Sequence, residues 1–421
     1  MADMQPLLLP AIIFTSLACL EHLAPAQTIY DTPPFFKASE IVSPAFLSSP
    51  YHRLREDVRT YNGLNHYVID SPYGTFVAHG NLMLQDRVHE VIALARLSEM
   101  SNSQEYLKAV KTAAKAPLNV VNDLVQAPAE TLSSVPKGVG KFLGRIGRGV
   151  QEATVGREKS QGEDGLVKNA AGVSKTKREL SAKLGVNPYS SNELLQSELD
   201  RVAWVAFAGD MTFTAATLPL SGAASAALSS LSAVEITNDI VYTQSPLDLR
   251  KTNLARLTSM GVSETSAEAF LATAAFSPWN QSRMVTSLQK LLGVSGRDIL
   301  VRDATQMTDS ETDAVFYDET TRLMAHLHTH GLPLSKITLI NGFPVCVGTD
   351  GSVIVALHWD YAMWSPSSER FATALQSVLI DGHKPTSLIV ALTGAMSPRL
   401  RQELEARGFR VQDRLLTGPL K

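Results

Sequence analysis

The chain has 421 residues, of which 44% are hydrophobic and 19% are charged. This is the composition of an ordinary globular protein, long enough for two or three domains. The net charge of −3 provides no overall field that would attract nucleic acid, so we expect no nucleic-acid partner.

The N-terminus has the pattern of a signal peptide, which we place at residues 1–26. Residues 7–19 form an apolar run too short to span a bilayer comfortably, and residues 24–26 are a small-x-small cleavage pattern before Gln27. The segment before the apolar run departs from the usual pattern because it lacks Lys and Arg. The sequence therefore predicts an exported protein, periplasmic or secreted. Its mature chain keeps only Cys346 and forms no intrachain disulfide.

Residues 27–80 are predicted to form an extended segment followed by a small β-hairpin unit. The extended segment is rich in proline and serine. Strand-like stretches and turn signals then alternate. The predicted strands are 57–61, 64–69 and 75–79, and the predicted turns are 62–63 and 71–74. Helical spacing of apolar residues begins at Val88, and residues 81–330 are predicted to form a central helical region.

An apolar pattern repeats every 11 residues over 107–149. An 11-residue repeat spans three helical turns, so each column of the repeat stays on one helical face. One column consists of Val110, Val121, Leu132 and Leu143. Four basic residues fall on the opposite face: Lys137, Lys141, Arg145 and Arg148. Residues 137–183 hold eleven Lys or Arg against five Asp or Glu, so the positive charge is concentrated there.

This basic amphipathic stretch is typical of contact with an anionic membrane surface. We expect the four basic residues to make that contact together with four apolar ones, namely Leu132, Val135, Leu143 and Ile146. Proline and glycine interrupt the pattern, which makes the stretch a poor helix in water. Two alternatives stay open: packing on the rest of the fold, and binding to a protein partner that the sequence does not identify.

Two further segments precede the C-terminal part. Residues 150–173 are polar and charged and are predicted to be a linker, followed by a basic helix that ends at Gly185. An apolar helical hairpin is predicted within 202–240, because residues 211–234 carry no charge and are mostly small. Its length also permits the alternative of a hairpin inserted in a membrane.

Residues 331–421 are predicted to form a mixed-sheet α/β domain. The predicted strands are 336–340, 345–348, 353–358, 387–392 and 409–413, and the predicted helices are 367–380 and 397–407. The predicted fold class is therefore α+β and mostly helical. It comprises a small N-terminal β-hairpin unit, a central helical region and a C-terminal mixed-sheet α/β domain.

A histidine run near the end of the helical region is a candidate metal site. His326 and His330 share one face of a predicted helix at 320–330, since they are four residues apart. Imidazole is a common metal ligand, and His358 and Asp360 would complete a site if the fold brought them close. The alternative is a polar helix end at which histidines interact favourably with the helix dipole.

A second candidate lies where a predicted strand meets a helix. Thr393, Gly394 and Ser397 join the two elements, and helix N-termini at the carboxyl ends of strands favour anions. The same residues also fit the ordinary start of a helix, with Ser397 as N-cap and Pro398 in the first turn. The sequence has no Walker A motif, nucleophile elbow, C-x-x-C or H-E-x-x-H pattern, and we expect no cofactor.

Part of the sequence resembles a known family. Residues 172–180 (GVSKTKREL) and 184–189 (LGVNPY) are similar to a motif of a family of uncharacterised exported proteobacterial proteins. The strand-turn-strand at 67–80 and the 11-residue repeat resemble the same family. The resemblance covers residues 50–420 and implies export and a bacterial origin, but no activity and no catalytic residues. The interrupted amphipathic run is also similar, in a generic way, to the lipid-associating helices of lipid-transfer proteins.

Two hypotheses of function follow. The first is a non-enzymatic, exported bacterial envelope protein, peripherally associated with a membrane through its basic amphipathic region. The second is a periplasmic hydrolase or ligand-binding enzyme that uses the C-terminal α/β domain. The two differ in whether His326, His330, His358 and Asp360 converge in one pocket.

Overall fold

The computed structural model describes residues 30–113, 163–213, 239–340, 342–416 and 418–421. The predicted signal peptide, the basic stripe of 137–148 with its apolar partners, and most of the predicted apolar hairpin lie outside the described residues. The described residues are 52% helix and 21% strand, with an antiparallel sheet near the N-terminus and a mixed sheet near the C-terminus. The predicted α+β class is therefore confirmed in general terms.

The N-terminal sheet is antiparallel and has six strands. They are β1 (Phe35–Lys37), β2 (Ser48–Ser49), β3 (His52–Leu54), β4 (Asp57–Tyr61), β5 (Leu64–Ser71) and β6 (Gly74–His79), with the short helices α1 (Ala38–Ile41) and α2 (Pro44–Leu47) between β1 and β2. Strand β5 is central and pairs with β3, β4 and β6. Asn62 and Gly63 both have positive φ, as a tight two-residue hairpin turn requires, which explains the Asn-Gly signal.

A long helix, α3 (Asn81–Ser101), follows the sheet and is buried around its whole circumference. Its first half packs on the sheet. Its second half packs against α4 (Gln104–Ala113), α5 (Glu163–Leu184) and α6 (Glu193–Ala208). The predicted apolar face, including Val88, is buried, but so are Glu90 and Arg96 on the opposite side. The expectation of an amphipathic helix with one exposed face was therefore wrong, because α3 is buried on all sides.

The remaining elements form a layered α/β arrangement. The helices are α7 (Asp239–Thr243), α8 (Pro246–Ser259), α9 (Glu264–Ala272), α10 (Pro278–Lys290), α11 (Arg297–Met307), α12 (Glu311–Thr329), α13 (Pro366–Gln376) and α14 (Pro398–Ala406). The main strands are β7 (Leu334–Ile340), β8 (Phe343–Gly348), β9 (Val353–Leu357), β11 (Leu388–Leu392) and β13 (Phe409–Gln412). A separate parallel pair joins β10 (Tyr361–Ala362) to β12 (Ala395–Met396).

The C-terminal sheet has the order β13-β11-β9-β8-β7, with parallel pairs on the β13 side and antiparallel pairs on the β7 side. Alternate residues of β9 face two different cores. Ile354 and Ala356 pack with helices α8 to α12, whereas Val353, Val355 and Leu357 pack with α13 and α14. The helices that precede Gly331 therefore share a core with the sheet, a packing that the sequence did not predict.

Residues near both ends of the described chain form contacts between the N-terminal and C-terminal parts of the protein. The Asp31 carboxylate accepts hydrogen bonds from the Trp364 backbone N–H (2.7 Å) and the Ser397 hydroxyl (2.5 Å). At the other end, Leu420 forms an antiparallel bridge with Val42. A further contact joins the end of β9 to the turn of the β4–β5 hairpin, where the Asp360 and Tyr361 N–H groups donate to the Gly63 carbonyl at 2.8 and 3.1 Å.

Two observations bear on the predicted membrane association. Within the described residues, no helix is long and apolar enough to cross a bilayer. In the described part of the basic region, Lys177 pairs with Asp200 at 2.7 Å and Arg178 is buried, whereas Lys183 is exposed.

Candidate functional site

A cavity of about 190 Å³ lies where the C-terminal sheet meets α3 and α12. Helix α3 contributes Asn81, Leu82 and Gln85, and α12 contributes Glu319 and Arg322. The remaining lining residues follow strands or belong to the C-terminal tail: His358, Asp360, Thr393, Gly394, Leu416 and Gly418. Most of these side chains are polar or charged although they are buried, which is unusual for a protein interior.

The sheet topology explains why His358 and Thr393 meet. Strands β9 and β11 are parallel neighbours, with Leu357 paired to Leu392, and each strand ends one residue before its cavity residue. The carboxyl ends of parallel strands are the usual position of ligand sites in α/β sheets. The cavity therefore occupies the place where this architecture most often binds a ligand.

Gly394 allows the two strand ends to approach each other. A Cβ atom at this position would lie 2.2 Å from the carbonyl oxygen of Asp360, which is closer than real Cβ contacts allow. The Gly394 N–H donates to the Trp359 carbonyl at 2.8 Å, and the Ala395 N–H donates to the Asp360 carbonyl at 2.9 Å. Close backbone packing thus accounts for the glycine.

His358 presents an unpaired nitrogen at the cavity. Its side chain lies against the Thr393 hydroxyl, with Nδ1 3.2 Å from Oγ1, and that hydroxyl also lies 3.1 Å from the Trp359 carbonyl oxygen. A carbonyl only accepts, so the single Thr393 proton goes to Trp359 and the Nδ1–H of His358 donates to Oγ1. In this tautomer Nε2 carries a lone pair, and within the described residues this buried atom has no hydrogen-bond partner.

The environment keeps His358 neutral. The residue is 4% exposed, and burial lowers the pKa of its imidazole to about 4. Glu319 opposes this shift, whereas the positive charges of Arg322 and Arg283 add to it. At neutral pH the imidazole is therefore a hydrogen-bond acceptor through Nε2 and not a cation.

Asp360 holds the cavity wall to the N-terminal unit. Its Oδ2 accepts the backbone N–H groups of Asn65 (2.8 Å) and Asn81 (3.1 Å), and its Oδ1 lies 3.2 Å from the Asn81 nitrogen. The carboxylate thus receives an N–H at the start of α3, where a negative charge is favoured. Burial raises the pKa of Asp360 to about 7 although both N–H groups stabilise the anion.

A buried ion network supports the cavity from behind. Arg283 on α10 pairs with Glu319 and, at 3.3 Å, with Asp318 on α12. Burial opposes ionisation of Glu319, but Arg283 and Arg322 hold its pKa below the usual value. Burial raises the pKa of Asp318 to about 7, since one arginine shared with Glu319 offsets its desolvation only in part.

Arg322 lies at the outer side of the cavity, with its side chain 39% exposed. Its Nε is 3.4 Å from Glu319 Oε2. Within the part of the chain that the structure describes, the guanidinium makes no other ion pair or hydrogen bond. The terminal nitrogens of Arg322 are therefore free for the two oxygens of a carboxylate or phosphate.

The four residues proposed as metal ligands do not come together. His326 and His330 stack at 4.2 Å near the end of α12, where His330 is exposed, whereas His358 and Asp360 are buried at the cavity. Among the described residues, no group of three or more His, Cys, Asp or Glu side chains is arranged to hold a metal ion. His358 and Asp360 line the cavity, whereas His326 and His330 are not among its lining residues.

The three residues proposed for anion binding do not all line the cavity. Thr393 and Gly394 line the cavity. Ser397 instead caps α14: its Oγ accepts the Leu400 N–H at 2.9 Å and donates to Asp31. Ser397 therefore forms the ordinary start of a helix, which was the alternative to anion binding. Thr393 lies at the end of a strand and lines the cavity.

Sequence reasoning missed the charged residues of the site, chiefly Arg283, Glu319 and Arg322. One signal was present. Asp318 lies four residues after Ala314 and seven before Ala325, so all three share one face of a helix. Both alanines are buried in α12, and this spacing therefore places a carboxylate on the buried face. Its partner on α10 carries no comparable signal.

No protein-family model, curated protein or solved structure matches this chain. The resemblance to exported proteobacterial proteins therefore stays a prediction. The case for a functional site rests on the residues of the cavity.

Proposed function

We propose that the cavity at the ends of β9 and β11 is the binding site of a small polar molecule. The observation that carries the proposal is the buried, neutral His358, whose Nε2 lone pair lacks a partner. Leaving a buried polar atom unpaired is unfavourable by about 1–3 kcal/mol, so a ligand that donates a hydrogen bond to Nε2 would recover that free energy.

The geometry favours binding over proton transfer. A histidine with a pKa of about 4 accepts a hydrogen bond well but takes up a proton poorly at neutral pH. The Asp360 carboxylate already accepts two backbone N–H groups, so part of its lone-pair capacity is used in holding the cavity wall. This proposal develops the hypothesis of a ligand-binding C-terminal domain, without assigning a hydrolytic step.

The proposal is tested with six small probes: acetate, phosphate, glycolate, glycerol, ethylamine and glycine. We expect at least one to bind with a stoichiometry of one and to raise the melting temperature. His358→Ala should weaken that binding at least tenfold, because the acceptor is removed. Calorimetric titration at neutral pH measures both the affinity and the stoichiometry.

Two variants complete the test. His330→Ala removes an exposed histidine at the end of α12 and should leave the binding unchanged. Thr393→Val keeps the side-chain shape but removes the hydroxyl that sets the His358 tautomer, and should weaken binding if His358→Ala fails to fold. The proposal is wrong if no probe binds, or if the affinity is equal in wild type and in the folded His358 and Thr393 variants.

A second proposal concerns the basic stripe outside the described residues. We propose that the chain is an exported envelope protein that contacts anionic membranes through residues 132–148. Support comes from the sequence: four basic residues lie opposite an apolar face with no acid between 137 and 149. Each Lys or Arg near an anionic leaflet contributes about 1 kcal/mol.

The variant Lys137→Glu, Lys141→Glu, Arg145→Glu and Arg148→Glu should therefore lose flotation with anionic liposomes. Its melting temperature should stay that of the wild type, and salt should weaken the wild-type interaction because charges are screened over about 8–10 Å. Wild-type protein that never floats with anionic liposomes would rule out this proposal. A variant that unfolds would show that the stripe packs on the protein itself.

A further inference from the structure

The charges around the cavity are not evenly distributed, and their arrangement limits what the ligand can be. The acceptors are buried: His358, Glu319 and Asp360 are each no more than 4% exposed. Arg322 is the cation that lines the cavity, and it lies at the outer side with a free guanidinium end. A ligand that fits must therefore direct a donor inward and an anionic group outward.

We propose that the ligand is a small amino carboxylate whose ammonium group binds at His358 and Asp360 and whose carboxylate binds Arg322. The inference rests on the proposed function, because it names the ligand class of that same cavity. An ammonium group has three N–H donors, whereas a hydroxyl has one. Nε2 of His358 can accept one of them.

Asp360 can accept a second donor. Its Oδ2 receives both backbone N–H groups at the shorter distances, while Oδ1 has only the long contact with the Asn81 nitrogen at 3.2 Å. A carboxylate oxygen has two lone pairs, so Oδ1 keeps one for the ligand. Glu319 also lines this end of the cavity with its pKa held low, and a cation beside Asp360 would favour the ionised form of that carboxyl as well. An ammonium is therefore favoured here over a neutral hydroxyl or a second carboxylate.

The cavity volume limits the size of the ligand. At the ~30 Å³ that a water molecule occupies in the liquid, a volume of about 190 Å³ holds roughly six water-sized groups. Glycine, alanine, β-alanine and 4-aminobutyrate fall in this range. Nucleotides and peptides of several residues are too large to be enclosed there.

Calorimetric titration with matched probes tests this inference. Glycine, β-alanine and 4-aminobutyrate carry both groups; ethylamine lacks the carboxylate, propionate lacks the amine, and glycolate replaces the amine by a hydroxyl. We expect at least one amino carboxylate to bind ten times or more tightly than any of the three comparison probes. Arg322→Gln should reduce that affinity at least tenfold, and Arg322→Lys, which keeps the charge but not the paired N–H geometry, should reduce it less.

Arg302→Gln is the matched control, because Arg302 is an exposed helix arginine paired with Asp298. It should leave the affinity unchanged. If glycolate, propionate or ethylamine binds as tightly as the amino carboxylates and depends on His358, the inference is overturned and the proposed function stands. An affinity for amino carboxylates that is unaffected in Arg322→Gln also overturns the inference. Failure of all probes overturns both.

Discussion

Replacing Arg283 with methionine is expected to destabilise the protein by about 3–5 kcal/mol, the usual result of removing one partner from a buried ion pair. Asp318 and Glu319 are 0% and 3% exposed, and without the arginine that they share they must either stay charged and unpaired or take up protons, both of which are unfavourable at pH 7. Denaturant unfolding at pH 7 measures the loss. Arg302→Met is the control, because its exposed pair with Asp298 contributes about 0–1 kcal/mol.

The double variant Arg283→Met, Asp318→Asn separates charge from packing. Asp318→Asn removes one of the two buried acids that Arg283→Met leaves without their arginine, so this variant should be more stable than Arg283→Met alone. The destabilisation by Arg283→Met should also shrink at pH 5, where the buried carboxyls take up protons. A loss below 1 kcal/mol at pH 7 would show that Arg283 does not hold these two acids.

Asp360→Ala is expected to destabilise the protein by about 2–5 kcal/mol. The substitution leaves the backbone N–H groups of Asn65 and Asn81 buried without acceptors, at about 1–3 kcal/mol each. It also removes the side-chain link from the end of β9 to the β4–β5 hairpin and the start of α3, while the backbone bonds of Asp360 and Tyr361 to the Gly63 carbonyl remain. Denaturant unfolding measures the change, and Asp298→Ala on the surface of α11 is the control.

The pH dependence of this loss is part of the prediction. Burial raises the pKa of Asp360 from 3.8 to about 7 in the folded chain. Between these values the folded state binds more protons than the unfolded state, so the stability contributed by this group falls as the pH rises. The loss on Asp360→Ala should accordingly be larger at pH 5 than at pH 8. If the loss of stability on Asp360→Ala instead grows with pH, the two N–H groups hold the pKa of Asp360 low and the prediction is wrong.

Local structure could be predicted from the sequence where a short pattern determines it. The Asn62-Gly63 turn matches a hairpin because both residues adopt positive φ. Helix α14 starts at Pro398 after Ser397, as Ser-Pro at a helix start predicts. Strands β8, β9 and β11 are runs of mostly buried apolar residues, and all five strands of the C-terminal sheet lie within two residues of their predicted positions.

The candidate site could be predicted only in part, because its residues come from distant parts of the chain. His358 and Thr393 were recognisable from residue type and from their position at strand ends. Asn81 and Glu319 reach the same cavity only through the packing of α3 and α12 on the sheet. Periodicity tells which face of a helix is buried, but not which other element covers it.

The proposed binding site depends on the lone pair that His358 presents at Nε2. Nitrogen NMR of histidine-labelled protein tests it most directly, with the His358 resonances assigned by comparison with His358→Ala. We expect a neutral imidazole at pH 7 with the proton on Nδ1, and a change to the charged form only as the pH falls towards about 4. A proton on Nε2, or a charged imidazole at pH 7, would contradict it.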